Sequence, residues 1–266
     1  MKSKFEKFID GKFPLSVMGK LLLSEVLIKL PFLLPDDYTL ADNEYKIYLN
    51  LKESGMMIRR FFGVYEYWNQ QLLRQIVKPG MTVVDVGANK GDYSLLSAYL
   101  MKDRGKILAV EPVPENCYWL RKSIKANNFK SIKVCELALS DKNGKAKLYL
   151  DKKISGGASL EKFDSSCGML NIRVQKMDDL IKNKVDVIKI DVQGTELEVL
   201  KGARKVMKRN THIFIDLDNP KTKIKVWKLL KDNGYRIYSV GKDLTPVDDI
   251  RDVNSIYGVN HKGLLL

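Results

Sequence analysis

Apolar and polar positions divide the chain into two regimes. From Val77 onward, short apolar runs alternate with stretches of helical periodicity. The runs Val83–Val86, Ile107–Val110, Ile132–Leu139, Val185–Ile190, His212–Leu217, Tyr235–Val240 and Asn254–Val259 predict strands. Between them, Asp92–Lys102, Glu115–Asn127, Thr195–Lys208 and Lys221–Asp232 predict helices. Strands alternating with helices imply an α/β domain whose mostly parallel sheet is doubly wound, with helices on both faces. Lys145–Arg173 reads as an insertion between core elements. Within it, Leu148–Leu150 and Asn171–Val174 are expected to pair as a ribbon, and Gly156-Gly157 to form a loop beside a ligand mouth. Residues 1–69 lack this rhythm. They mix apolar, Lys-rich and Tyr-rich segments around the Pro35-Asp36-Asp37 break. They are expected to form a mainly helical extension that serves as a lid, an association surface or a substrate-side cover, and residues 70–266 to form the α/β domain.

The first predicted strand runs directly into a glycine turn and a helix, the start of a nucleotide-binding βαβ unit. The second strand ends in Glu111, roughly 20 positions past the turn, where a carboxylate can accept both hydroxyls of a ribose. A dinucleotide fingerprint needs Gly-x-Gly-x-x-Gly so that backbone can close on a pyrophosphate, and a phosphate loop needs a Gly-Lys-Ser/Thr ending. The chain offers Gly87-x-x-x-Gly91 instead. That turn admits a ribose and a small zwitterion without a pyrophosphate cradle, which suits S-adenosylmethionine. Asp85 is expected near the amino acid end of the cofactor and Glu111 at the ribose. In an open sheet of this kind ligands gather outside the carboxyl ends of the strands. Asp191 and Asp216 end two further strands and are expected to face an acceptor. Asp141 is placed either to contact adenine or to cap its own Asp-Lys-Asn-Gly turn.

Bulk properties narrow the setting. At 266 residues and 45% apolar composition, the chain can bury a substantial core. No run of about 18 uncharged apolar residues is present, which argues against a spanning helix. Three cysteines without metal-ligand spacing read as reduced thiols of a cytoplasmic protein. His212 falls inside a buried strand and reads as a core histidine. The net charge of +14 fits either an anionic partner or solvated lysine-rich helix faces. Lys221, Lys225 and Lys228 mark one such face, and Lys201, Arg204, Lys205 and Lys208 another.

Four blocks carry a resemblance. They are Val83 to Ser94; Val110-Glu111-Pro112 with Pro114 and Asn116; Ala138-Leu139-Ser140-Asp141 followed by Gly144; and Ile188 to Glu196 with Leu200 and Gly202-Ala203. Together they resemble the FkbM family of S-adenosylmethionine-dependent methyltransferases, within the seven-stranded Rossmann-like class. The resemblance covers roughly Gly63 to Tyr257. It implies methyl transfer to a hydroxyl of a sugar, glycan or other small molecule. It also implies a cofactor site made of Asp85, Gly87, Asn89, Gly91, Tyr93, Glu111, Pro112 and Asp141. Gln193 and Asp216 stand where the family often carries glutamate. The expected base or orienting carboxylate is Asp191, with Glu196 second. Glu196 lies in a first helical turn, where a capping role competes. Asp191, Asp216, Asp218 and Asn219 are hard oxygen donors that suit a Mg²⁺ ion. Asp218-Asn219-Pro220 equally fits a turn that caps the next helix, and no residue is assigned to a metal. An RNA methyltransferase using the basic surface is the alternative activity. Against it, the Asn/Asp-Pro-Pro-Tyr/Phe motif of many base-methylating enzymes is replaced by Asp191-Val192-Gln193-Gly194.

Overall fold

The structure, a computed structural model, describes residues 17–29, 38–41, 44–49, 60, 63–150, 158–160, 168–208, 211–217 and 219–260. The chain divides into two compact units. The smaller comprises residues 1–38 and 50–67, the larger 39–49 and 68–266. Described parts of the first 49 residues hold helix α1 (Val17–Ile28) and a two-stranded sheet of β1 (Tyr38–Ala41) and β2 (Lys46–Leu49). No described helix is long and apolar enough to cross a membrane.

Residues 39–49 group with the larger unit because β2 is tied to a distant helix, α4 (Pro114–Asn127). Asn127 accepts from the Lys46 N–H at 2.7 Å and donates to the Lys46 carbonyl at 2.7 Å. The Tyr48 N–H donates to Ser123 Oγ at 3.1 Å, and Lys122 Nζ lies 4.2 Å from the Tyr48 ring centre. α4 itself starts with Pro114, whose missing N–H costs nothing at a helix start. It ends at Asn128 in the left-handed conformation, φ 56°.

The main sheet has eight strands: β3 (Thr82–Val86), β4 (Lys106–Val110), β5 (Ile132–Cys135), β10 (Val187–Ile190), β11 (His212–Asp216), β12 (Arg236–Val240), β13 (Leu244–Pro246) and β14 (Ser255–Val259). Their order is β13-β12-β14-β11-β10-β3-β4-β5. The run from β11 to β5 is parallel, and β14 enters antiparallel between β11 and β12. The seven expected strands are all present, and β13 adds an edge.

Both faces are buried, with alternate residues serving each. Val84, Val86, Ile188, Ile190, Ile213 and Ile215 join one core with α6 (Glu196–Lys201) and α7 (Lys223–Asp232). Val83, Val187, Phe214 and Tyr257 join the other with α2 (Tyr67–Ile76) and α3 (Asp92–Leu100). By this alternation Asp85, Lys189 and Asp216 share the second face. The near-continuous β-branched runs are what a sheet covered on both sides requires.

Two elements differ from expectation. Ile132–Leu139 is split: β5 stays in the main sheet, while β6 (Ala138–Leu139) crosses to a second, four-stranded sheet, in which it is followed by β9 (Gly168–Gln175), β7 (Gly144–Leu150) and β8 (Ala158–Ser159). The predicted helix Thr195–Lys208 is α6 followed by turns, because Gly202 packs against backbone. A Cβ there would stand 2.1 Å from the Ser140 carbonyl oxygen. The insertion ribbon forms from β7 (Gly144–Leu150) and β9 (Gly168–Gln175), with Leu148 opposite Leu170 and Lys147 opposite Asn171. β8 (Ala158–Ser159) pairs with β7, and α5 (Met177–Leu180) follows β9. Gly156-Gly157 lies outside the described residues.

Candidate functional site

The β3–α3 turn is built around two glycines that nothing larger could replace. Gly87 has φ 77°, and a Cβ on it would lie 1.8 Å from the Asp191 carbonyl oxygen. Gly91 has φ 99°, and its Cβ would lie 2.3 Å from Leu120 Cδ1. These are left-handed conformations that glycine adopts without steric cost. Gly87 and Ala88 donate their N–H groups to the Val110 carbonyl at 2.9 and 3.0 Å, which locks the turn to the end of β4.

Glu111 sits at that end, 4% exposed. Its Oε2 accepts from the Asn89 N–H at 2.8 Å; its Oε1 accepts from the Val113 N–H at 2.9 Å and from Asn116 Nδ2 at 3.3 Å. Burial raises its pKa above the ordinary range. Those three donors pull the other way, and the charge of Asp191 adds to the rise. Asn89 is left-handed at φ 49°, and its buried Oδ1 has no hydrogen-bond partner among the described residues. Asn89 thus offers an unused acceptor beside an acidic group at a strand's carboxyl end. With two glycines that bring backbone close, this donor and acceptor set fits a ribose-bearing ligand. Lys90 in the same turn is 1% exposed, and burial lowers its ammonium pKa to about 8 against the pull of Glu115 and Asp92. Pro112 is half-buried and passes the chain from Glu111 toward α4.

Asp85 lies beneath the turn, not in its mouth. It is 2% exposed and accepts from Ser94 Oγ at 2.6 Å, which ties β3 to the first turn of α3. Burial pushes its carboxyl up to about 7, against the Ser94 hydrogen bond and the nearby Lys189 charge, with Asp92 adding to the rise. Tyr93 is likewise buried, packed against Phe214 with ring centres 6.5 Å apart. Lys189 Nζ stands 5.0 Å from the Tyr93 ring centre. Lys189 is 2% exposed, in register with Asp85 on the neighbouring strand, and ion-paired to Asp216. Sequence reasoning missed Lys189, Ser94 and Asn116. The available signal was a lysine between Ile188 and Ile190 in a strand buried on both faces, a position that demands an anion.

At the carboxyl end of the next strand, Asp191 follows β10 and is half-buried. Its N–H donates to the Val86 carbonyl at 2.9 Å, and its Oδ1 accepts from Gln193 Nε2 at 3.1 Å. Asp191 and Asp216 present carboxylate oxygens within 4.8 Å of each other. Glu196 is fully buried and accepts from the Gly194 N–H at 2.7 Å, holding the left-handed Gln193-Gly194 pair in place. That is the loop-holding arrangement rather than a carboxylate facing open space. Asn219 Oδ1 accepts from the Lys221 N–H at 3.0 Å, and its Nδ2 donates to the Gly194 carbonyl at 3.3 Å, the geometry of a capping turn. Asp218 lies outside the described residues. Asp141 is exposed, and its Oδ1 accepts from Ser140 Oγ at 3.3 Å. His212 is a core histidine, its Nδ1 2.7 Å from the Tyr257 hydroxyl. Cys117 and Cys135 are free thiols, and burial pushes Cys117 up to about 12.

Residues 85–237 match the family model described as methyltransferase FkbM domain. The chain belongs to the FkbM methyltransferase family. The glycine turn, Glu111, Asp191 and Asp216 all fall inside the matched FkbM domain. Methyltransferase sdnD of Sordaria araneosa is 28% identical over 157 residues, which span 45% of this chain and 59% of that relative's length. The FkbM methyltransferase of Methylobacillus flagellatus is similar at 15% identity and a TM-score of 0.48, covering 90% of this chain and 58% of that one. Aeropyrum pernix fibrillarin, solved with bound S-adenosyl-L-methionine, is similar at 16% identity and a TM-score of 0.42, over 72% of this chain and 73% of that one.

Proposed function

We propose that this FkbM domain transfers a methyl group from S-adenosylmethionine to a hydroxyl on a sugar, glycan or other small molecule. The observation that carries the reading is Glu111. It is a buried carboxylate at a strand end, hydrogen-bonded by the Asn89 N–H of a turn that lacks pyrophosphate spacing. When bound, the cofactor supplies an electrophilic sulfonium methyl. The protein's work is then alignment and proton removal. Glu111 accepts the ribose hydroxyls, and the Gly87–Gly91 backbone lines the cofactor. As the methyl passes from sulfur to the acceptor oxygen, the sulfur would keep the C–S electron pair and leave as the neutral thioether of S-adenosylhomocysteine, and Asp191 would take the hydroxyl proton. Glu196 keeps the Gln193-Gly194 loop, and with it Asp191, in position. Asp216, paired with Lys189, lies beside Asp191 and orients the acceptor.

A screen with labelled S-adenosylmethionine over glycans, small alcohols and RNA tests the reading. Alkali-stable label on a hydroxylated acceptor is expected, with kcat lowered about 10²–10⁴-fold in Asp191→Asn. Label appearing only in RNA bases would replace hydroxyl methylation with the alternative activity.

A further inference from the structure

The loop between β10 and α6 departs from ordinary backbone geometry at its centre. Gln193 has φ 54°, in the left-handed region that residues other than glycine seldom occupy, and Gly194 follows at φ 110°. Three hydrogen bonds hold this stretch. Glu196 accepts from the Gly194 N–H at 2.7 Å, Asn219 Nδ2 donates to the Gly194 carbonyl at 3.3 Å, and the Asp191 N–H donates to the Val86 carbonyl at 2.9 Å. Strained backbone that is held in this way by its surroundings gathers at functional sites. Here the strained residue turns its side chain back along the loop, and Gln193 Nε2 donates to Asp191 Oδ1 at 3.1 Å. Asp191 Oδ2 has no hydrogen-bond partner among the described residues.

The backbone of Asp191 is fixed on two sides. Its N–H is bound to the end of β3, and its carbonyl oxygen bears on the glycine turn, where a Cβ on Gly87 would lie 1.8 Å away. The freedom left to Asp191 is rotation of its side chain, and the Gln193 hydrogen bond removes it. An amide suits this place. It donates to a carboxylate and carries no charge of its own to repel it. One oxygen of Asp191 is thereby engaged, and the other is left for a proton donor that enters the cleft at the strand ends. The neighbouring Asp216 carboxylate is ion-paired to Lys189.

We propose that Gln193 is a positioning residue for methyl transfer: its amide fixes the Asp191 side chain so that Oδ2 faces the acceptor hydroxyl, and the left-handed backbone at Gln193 is what aims that amide. The inference rests on the role proposed for Asp191 above, and it names what orients that carboxylate.

Two substitutions separate the amide from the backbone. Gln193→Met keeps the length of the side chain and the strained φ but has no donor. Gln193→Gly also lacks the donor, yet adopts a left-handed φ without steric cost. With the acceptor that the labelled screen identifies, both should lower kcat about 10–100-fold, while S-adenosylmethionine affinity and acceptor KM stay at wild-type values. In chemical denaturation Gln193→Gly should be at least as stable as the wild type and more stable than Gln193→Met. A crystal structure of Gln193→Met should show the Asp191 carboxylate turned from its place beside residue 193. Lower stability in both variants with kcat unchanged would overturn the proposal, because a glutamine that only holds the loop would behave in that way. An unmoved Asp191 would overturn it as well. Asp191→Asn, assayed alongside, tells two failures apart. Full activity there removes Asp191 as the base, whereas loss there with none in Gln193→Met removes only the positioning by Gln193.

Discussion

Asp85 gives this protein a pH dependence of its own. An unfolded aspartate titrates near 3.8, whereas folded Asp85 titrates near 7 because burial penalises its charge. Between those values the folded protein holds a proton that the unfolded chain has released. Stability therefore falls as pH rises through that window, by about 4 kcal/mol if the whole shift is expressed. Asp85→Asn keeps an acceptor for Ser94 and removes the titration. In chemical denaturation the variant should gain on the wild type between pH 5 and pH 8, and parallel profiles would refute the assignment. Glu111→Ala should weaken S-adenosylmethionine binding by about 1.5–3 kcal/mol, the scale for hydrogen bonds to a charged group. Unchanged calorimetric affinity in the folded variant would remove Glu111 from the ribose. Glu111, Gly87 and Gly91 were legible in the sequence because each must occupy a fixed offset from a strand end. The Asp85–Lys189–Asp216 row was not. Its members come from three separate strands, and only the order β3-β10-β11 makes them neighbours.

At the scale of elements, α4 holds a ribbon whose Lys46 lies 81 residues before Asn127 in the sequence. Asn127 makes hydrogen bonds to Lys46 and to the Ser123 carbonyl. Asn127→Ala should leave the sheet intact, cost about 1–2 kcal/mol and speed amide exchange at Lys46 and Tyr48 at least tenfold. Exchange unchanged at those two amides would show that β2 is held by other means. The same docking is why residues 39–49 group with the larger unit. Their partners lie in a helix far along the chain, and no local pattern announces them. The long parallel strands were readable because burial on both faces demands continuous β-branched runs. The switch from β5 to β6 was hidden for the same reason. Leu137 is buried, so the apolar run continues while the chain changes sheets. β13 was missed because its three residues are largely exposed and carry no apolar alternation.

For the molecule as a whole, the charge of +14 is not spread evenly. Two faces that read as separate solvated stripes converge between α7 and the segment of α6 that runs on to Lys208. There Lys201, Arg204, Lys208, Lys225 and Lys228 line a cavity of about 490 Å³ with Asp232 as its one carboxylate. Lys201 pairs with Glu198 at 3.7 Å, and the other four cations have no carboxylate partner among the described residues. Retention on heparin should fall steeply with salt as condensed counterions are exchanged. Replacing Lys225 and Lys228 by serine should lower the eluting salt more than replacing Lys125 and Lys133, and equal shifts would mean that only net charge matters. The docking of β2 on α4 has a temporal side as well. Lys46 is synthesised 81 residues before Asn127. At roughly 5–20 residues per second the strand waits about 4–16 s for the helix that holds it. Through that interval its edge is open on the nascent chain. Translation arrested before Asn127 should therefore leave residues 39–49 accessible to chaperones and proteases, and release beyond that point should close them.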